Sequence, residues 1–343
     1  MNPPLGGSVI AAFASPEELR RRLRQAGVSF ELIEAAWPQW WSDEASDSIA
    51  ASAELRFTLA RRLGLSPSSL LEEDPVFVWH DTTRFKGFSA STSEEAVLGS
   101  FALSVGRLAA AGSAEPYQRL ASAKQIRAAI LNEFQAVTLY SLIALCWGVG
   151  IPVVHLRVFP LDAKRMDAMS VIAGKRPVIL LGRDTHFPAQ LAFILAHELA
   201  HVVLDHFEGE AAVVDFGDPI SHDFGAEDPD EMAANAFALE VLTGNPNFDV
   251  QVDRQNFNGA QLAKSVRSAS EQFAIEPATI ALAVGYRTNR WEQVYAAINI
   301  LGDRVDDLPS VVNRIAFQQL QWNKLGEENS YYLRRLLGES GDA

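Results

Sequence analysis

His197 and His201 stand four residues apart in Ile194-Leu-Ala-His-Glu-Leu-Ala-His-Val202. On an α-helix that spacing puts both imidazoles on one face, one turn apart, where they can share a single Zn2+. Glu198 sits one step round the helix, beside the open coordination position, placed to take a proton from water activated by the metal. This HExxH pattern also arises by chance, so its surroundings decide. No Asp, Glu, Lys or Arg other than Glu198 lies between Asp184 and Asp205, and Leu191, Ile194, Leu195, Leu199, Val202 and Val203 can seat the segment in a core. Two histidines and a carboxylate in so apolar a helix cost folding energy unless they are ligated or hydrogen-bonded. The competing structural reading is a pair of ordinary histidines bonded to backbone carbonyls.

Catalytic zinc usually keeps three protein ligands and one open position. The best third ligand is Glu231, in Asp228-Pro-Asp-Glu-Met-Ala-Ala-Asn-Ala-Phe-Ala238. Asp228 or Asp230 can cap a helix there, with Pro229 in its first turn. Glu231 then falls early on the helix and Asn235 one turn later on the same face. Asn235 can accept the N–H of a ligating histidine and fix its orientation. The plain alternative is a solvated acidic helix start, favoured by the macrodipole. One Zn2+ per chain is expected, and two imidazoles with a carboxylate also accept Mn2+.

Leu195-Ala-His-Glu-Leu-Ala-His201, then Glu231-Met-Ala-Ala-Asn-Ala-Phe-Ala238, with the strand Pro177-Val-Ile-Leu-Leu181 ahead of both, resembles the ImmA/IrrE family of gluzincin-type zinc metallo-endopeptidases. The resemblance covers roughly residues 120 to 285. It implies a cytoplasmic zinc endopeptidase, often one that cleaves a helix-turn-helix repressor or antitoxin, and so a place in transcription regulation and stress response. It also implies an edge strand beside the metal helix, to which an extended substrate can add. Ile194 and Ala200 stand where the family usually has Thr and Gly, and Ala233 where many members have a second acid; none of these removes a proposed ligand or the base.

The composition agrees with an intracellular enzyme. A chain of 343 residues suggests about two domains and an ample core. Its one cysteine, Cys146, excludes an intramolecular disulfide and a Cys-rich zinc site. No basic segment followed by an apolar one marks a signal peptide, and no apolar run is long enough to span a membrane, so a cytoplasmic location is expected. The net charge of −14 is unevenly placed: from Asp184 to Asp253 there are fifteen Asp or Glu and no Lys or Arg. Such a field favours a basic partner, such as a DNA-binding repressor as substrate, and makes direct nucleic-acid binding unfavourable. The bland reading is a solvated acidic loop.

The expected fold is α+β and mostly helical: a zincin-like protease core with a small sheet, flanked by helical N- and C-terminal parts. The boundaries read from the sequence are 1–120, 121–290 and 291–343. In the first part, Ser15 and Glu18 open a helix with a capping pattern, and Ala53 to Leu63 form another that ends at Gly64. Leu55 to Leu71 weakly resembles the end of a helix-turn-helix domain, yet residues 1–75 hold seven Arg and eleven acids, which suits a degenerate module that contacts a partner. Trp37, Trp40 and Trp41 read as a core anchor rather than a peptide-binding surface. In the middle part, Gln125 to Trp147 read as one long helix, Ile151 to Phe159 as a strand, and Met169 to Leu181 as a hairpin. His155 reads as structural, and His206, about 140° round the helix from His201, falls off the metal face. Helices over Ala263 to Phe273 and Pro277 to Val284 follow, then an amphipathic tail with Tyr331, Tyr332, Leu333, Leu336 and Leu337 as its packing stripe. Tyr286 is the first choice to steady the oxyanion, with Arg287, Tyr140 and His222 as alternatives.

The reading is therefore a zinc-dependent endopeptidase of an intracellular protein, with His197, His201 and Glu231 on the metal, Glu198 as general base and Asn235 behind a ligand. The alternative is a non-enzymatic regulatory or protein-binding module with a structural or vestigial zinc site.

Overall fold

The computed structural model describes residues 15–66, 83–86, 92–162, 166–207, 212–215, 228–250 and 257–339. Among these the chain is a mostly helical α+β protein, as expected.

Its N-terminal helices are α1 (Pro16–Gln25), α2 (Phe30–Ala36) and α3 (Ile49–Leu63). Ser15 accepts from the Glu18 amide and opens α1, while Gly64, in the left-handed region, closes α3. Strand β1 (Thr83–Lys86) and helix α4 (Thr92–Gly112) follow. The expected long helix is two: α5 (Ala123–Leu131) and α6 (Leu139–Gly148). The break has a local cause. Thr138 and Ser141 form a reciprocal capping box, which starts a new helix where the apolar run begins.

The other strands are β2 (Val153–His155), β3 (Ala168–Ala173), β4 (Arg176–Leu181) and β5 (Ala212–Asp215), and the sheet order is β1-β5-β3-β4-β2. The β3–β4 hairpin is the one read from the sequence, with Ala173 opposite Arg176. The strand expected over 151–159 is shorter, because the amides of Arg157 and Val158 turn to the Leu336 carbonyl. Neighbouring residues of β3 point to opposite faces. On one face α4 comes so close at Gly106 that a Cβ there would lie 2.9 Å from Val171 Cγ1. On the other, Ser170 meets α7 (Pro188–Leu204), the helix of the histidine motif. Layers on both faces explain why β3 and β4 read as apolar runs rather than alternating ones.

Helix α8 (Pro229–Thr243) packs along α7, and Arg127 of α5 donates to the carbonyls of Leu242 at its end and of Ala274. Helices α9 (Gly259–Phe273), α10 (Pro277–Thr288) and α11 (Trp291–Leu301) build a second, smaller core that includes Ala189 at the start of α7. The chain ends in α12 (Leu308–Gln319) and α13 (Glu327–Leu336). The predicted stripe of α13 is buried at Tyr332, Leu333, Leu336 and Leu337, and only half-buried at Tyr331. Tyr332 donates to the Arg62 carbonyl, and the buried Arg62 guanidinium pairs with Glu328 at 2.7 Å, so tail and N-terminal helices share the main core. Trp37 is buried under Arg20, as expected of a core anchor, whereas Trp40 is exposed.

Candidate metal centre

Every residue of α7 from Pro188 to Val203 is buried. A helix apolar all round belongs inside a protein, so its few polar groups must find partners there. Asp303 supplies one from outside: its carboxylate takes the Ala189 amide in the first turn, where the N-cap residue Phe187 offers no side-chain bond.

Two turns further on, His197 and His201 face Glu231, which lies in the first turn of α8. Asp228 caps that helix by accepting from the Asp230 amide, with Pro229 at its first position. The Nε2 atoms of the two histidines are 3.0 Å apart. Glu231 Oε2 lies 3.3 Å from His197 Nε2, and Oε1 lies 3.6 Å from His201 Nε2. A tetrahedral zinc ion with bonds of about 2 Å spaces its ligand atoms about 3.3 Å apart. The three donors therefore fit such an ion.

The tautomers agree with that fit. His197 Nδ1 lies 3.0 Å from Asn235 Oδ1, an atom that only accepts, so the ring proton sits on Nδ1 and Nε2 presents a lone pair. Asn235 is one turn after Glu231, where the helical spacing put it. Two nitrogen lone pairs and a carboxylate in one buried spot suit a cation. The histidines are buried, while the Glu231 side chain keeps 15 % of its surface exposed and marks the open side.

Glu198 is buried beside them, and its Oε2 accepts from the Ser170 hydroxyl at 2.5 Å. Sequence reading missed Ser170, which lies inside an apolar strand with no motif around it. It also missed the place of His206. That residue is off the metal face, as expected, yet its Nδ1 comes within 2.9 Å of His201 Nδ1.

The expected edge strand is not where the resemblance implied. β3, the strand that touches Glu198, is paired on both sides, with β4 and with β5, so the peptide edge nearest Glu198 is already occupied. Tyr286 lies on α10 with its ring 4.6 Å from that of Trp291, and it lines a cavity of about 30 Å³ with Ala189 and Phe193 of α7. Arg287 is ion-paired with Asp249 at 3.5 Å. Tyr140 is exposed in the first turn of α6, and His222 lies outside the described residues, as does most of the acidic stretch between α7 and α8. His155 is structural: its ring nitrogens lie 3.0 Å from the carbonyls of Leu156 and Arg183. Cys146 is buried, and burial lifts its thiol to about 12, which leaves it packing rather than reacting.

Comparison with known families places one match on the chain. Residues 149–274 match the peptidase M78 family, described as an IrrE N-terminal-like domain. The matched segment runs from the approach to β2 to the end of α9 and holds His197, Glu198, His201, Glu231 and Asn235. It supports a metallopeptidase-type function for this part of the chain. No curated protein and no solved structure gives a match.

Proposed function

We propose, on the premise of an IrrE N-terminal-like domain over residues 149–274, that the chain is a zinc-dependent endopeptidase of a specific protein. The observation that carries this reading is the trio of ligand atoms 3.0–3.6 Å apart with a buried carboxylate next to it in sequence. His197, His201 and Glu231 hold the ion. When bound, zinc supplies Lewis acidity that polarises the scissile carbonyl and makes water acidic enough to attack it. Glu198 takes the proton of the attacking water and hands it to the leaving amine. Ser170 holds the Glu198 carboxylate in place, and Asn235 holds the His197 ring. Tyr286 is assigned to the oxyanion; what supports it is the cavity it lines with Phe193, one turn before His197 on α7. A basic DNA-binding repressor suits the acidic region as substrate.

A structural zinc site would be closed by four protein ligands. Among the described residues the cluster holds three, which favours catalysis over the binding-module alternative. No described helix is long and apolar enough to cross a membrane.

The test measures metal content and cleavage together. Wild type and Glu198→Gln are expected to carry about one zinc per chain, and His197→Ala none. New N-termini in a labelled cell extract should appear with wild type and be absent with Glu198→Gln, since losing a general base costs roughly 100- to 10,000-fold. Absence of zinc in the wild type, or equal cleavage by Glu198→Gln, defeats the proposal.

A further inference from the structure

His206 lies five residues after His201, so a continuing helix would carry it well round the cylinder. The helix does not continue. Asp205 takes the left-handed conformation at φ 62°, and the His206 amide bonds back to the His201 carbonyl at 3.1 Å. Asp is one of the few residues that adopt this conformation readily. The reversal folds the His206 ring beneath that of His201, with centroids 5.1 Å apart and planes at 65°. The Nδ1 atoms are 2.9 Å apart, and His206 Nε2 lies 3.8 Å from Asp230 Oδ1. His206 is buried.

This contact is on the side of the His201 ring away from the metal cluster, because Nε2 is the atom that faces His197 and Glu231. His206 therefore stands behind His201 and outside the cluster of His197, His201 and Glu231. With Nε2 of His201 presenting its lone pair, Nδ1 carries the proton and must donate it. The acceptor is Nδ1 of His206, whose own proton then sits on Nε2, facing Asp230. One set of tautomers satisfies the contact between the two histidines and turns the Nε2–H of His206 towards the Asp230 carboxylate, 3.8 Å away. The chain of contacts also crosses from the end of α7 to the first turn of α8, next to Glu231.

We infer that His206, backed by Asp230, is a positioning residue that sets the tautomer and ring orientation of His201 and so the zinc affinity of the site. The inference rests on zinc binding by His197, His201 and Glu231. Metal-bound histidines generally use their second nitrogen in this way, and losing the partner weakens metal binding about 10- to 100-fold.

The test is zinc affinity, read by competition with a chromophoric chelator, for the full chain, three variants and the His197→Ala control. Leu and Asn have nearly the same shape, but only Asn offers an oxygen where His206 Nδ1 stands. His206→Leu should bind zinc about 10- to 100-fold more weakly, and His206→Asn should recover most of that loss. Asp230→Asn should weaken binding by a smaller factor, and it serves if His206→Leu fails to fold. Melting of the zinc-free proteins checks that both His206 variants fold. Wild-type affinity in His206→Leu, or equal weakening by Leu and Asn, overturns the inference. A wild type that takes up no zinc, or a His197→Ala variant that does, overturns the metal reading itself and this inference with it. That outcome is seen before any His206 variant is compared.

Discussion

Glu276 offers a stability test far from the metal. Its Oε2 caps α10, accepting from the Thr279 amide at 2.7 Å and the Thr279 hydroxyl at 3.0 Å. Burial, and next the charge of Asp303, lift its carboxyl from the ordinary 4.5 to about 7. Asp303 is itself raised, chiefly by burial. Between those two pH values the folded chain holds a proton on Glu276 that the unfolded chain has already lost. The contribution of Glu276 to stability is therefore greatest below pH 4.5, falls as pH rises through the window, and levels off above about 7. At about 1.4 kcal/mol per pH unit, the full loss is about 3 kcal/mol, a ceiling because Asp303 shares the titration. Glu276→Gln keeps an oxygen for Thr279 and removes the charge. The variant should match wild type near pH 5 and exceed its stability by up to about 3 kcal/mol at pH 8. Urea unfolding followed by tryptophan fluorescence, at several pH values and with chelator present to remove metal linkage, measures the difference. Parallel curves for the two proteins across that range would refute the argument.

Further outcomes follow from single contacts. Ser170→Ala removes a charge-assisted hydrogen bond to Glu198 worth about 1.5–3 kcal/mol; cleavage of a verified substrate should fall roughly 10- to 100-fold while zinc content stays at the wild-type level. Loss of zinc in that variant would show that Ser170 supports the ligands instead. Gly150→Ala puts a Cβ at φ 76°, 2.6 Å from the Pro116 carbonyl oxygen. It should cost about 2–4 kcal/mol in unfolding experiments, combining left-handed strain and overpacking, and a loss under 1 kcal/mol would contradict the packing at the start of β2.

The candidate ligands were legible in the sequence because helical geometry is local. A spacing of four puts His197 over His201 and Glu231 over Asn235 whatever the rest of the chain does. Caps were legible for the same reason: Ser15, Gly64 and Asp228 act on amides and carbonyls a few residues away. The single helix expected over 125–147 failed because a capping box at Thr138 competes with a periodicity that by itself looks continuous. Contacts made by folding over long separations were not legible. Ser170 meets Glu198 across twenty-eight residues, and in a strand covered on both faces nothing in the pattern marks one position as facing a carboxylate. The pairing of β5 with β3, which occupies the expected substrate edge, joins segments more than forty residues apart. His206 shows the boundary most clearly. Its place five residues after His201 says that it leaves the helix face. Only the left-handed turn at Asp205, and α8 packed close enough to offer Asp230, bring it back beneath the ligand. The sequence by itself determined which side chains share a helix face, since that follows from backbone periodicity. The tertiary structure decided which groups stand behind them, because those distances depend on how helices and sheet pack.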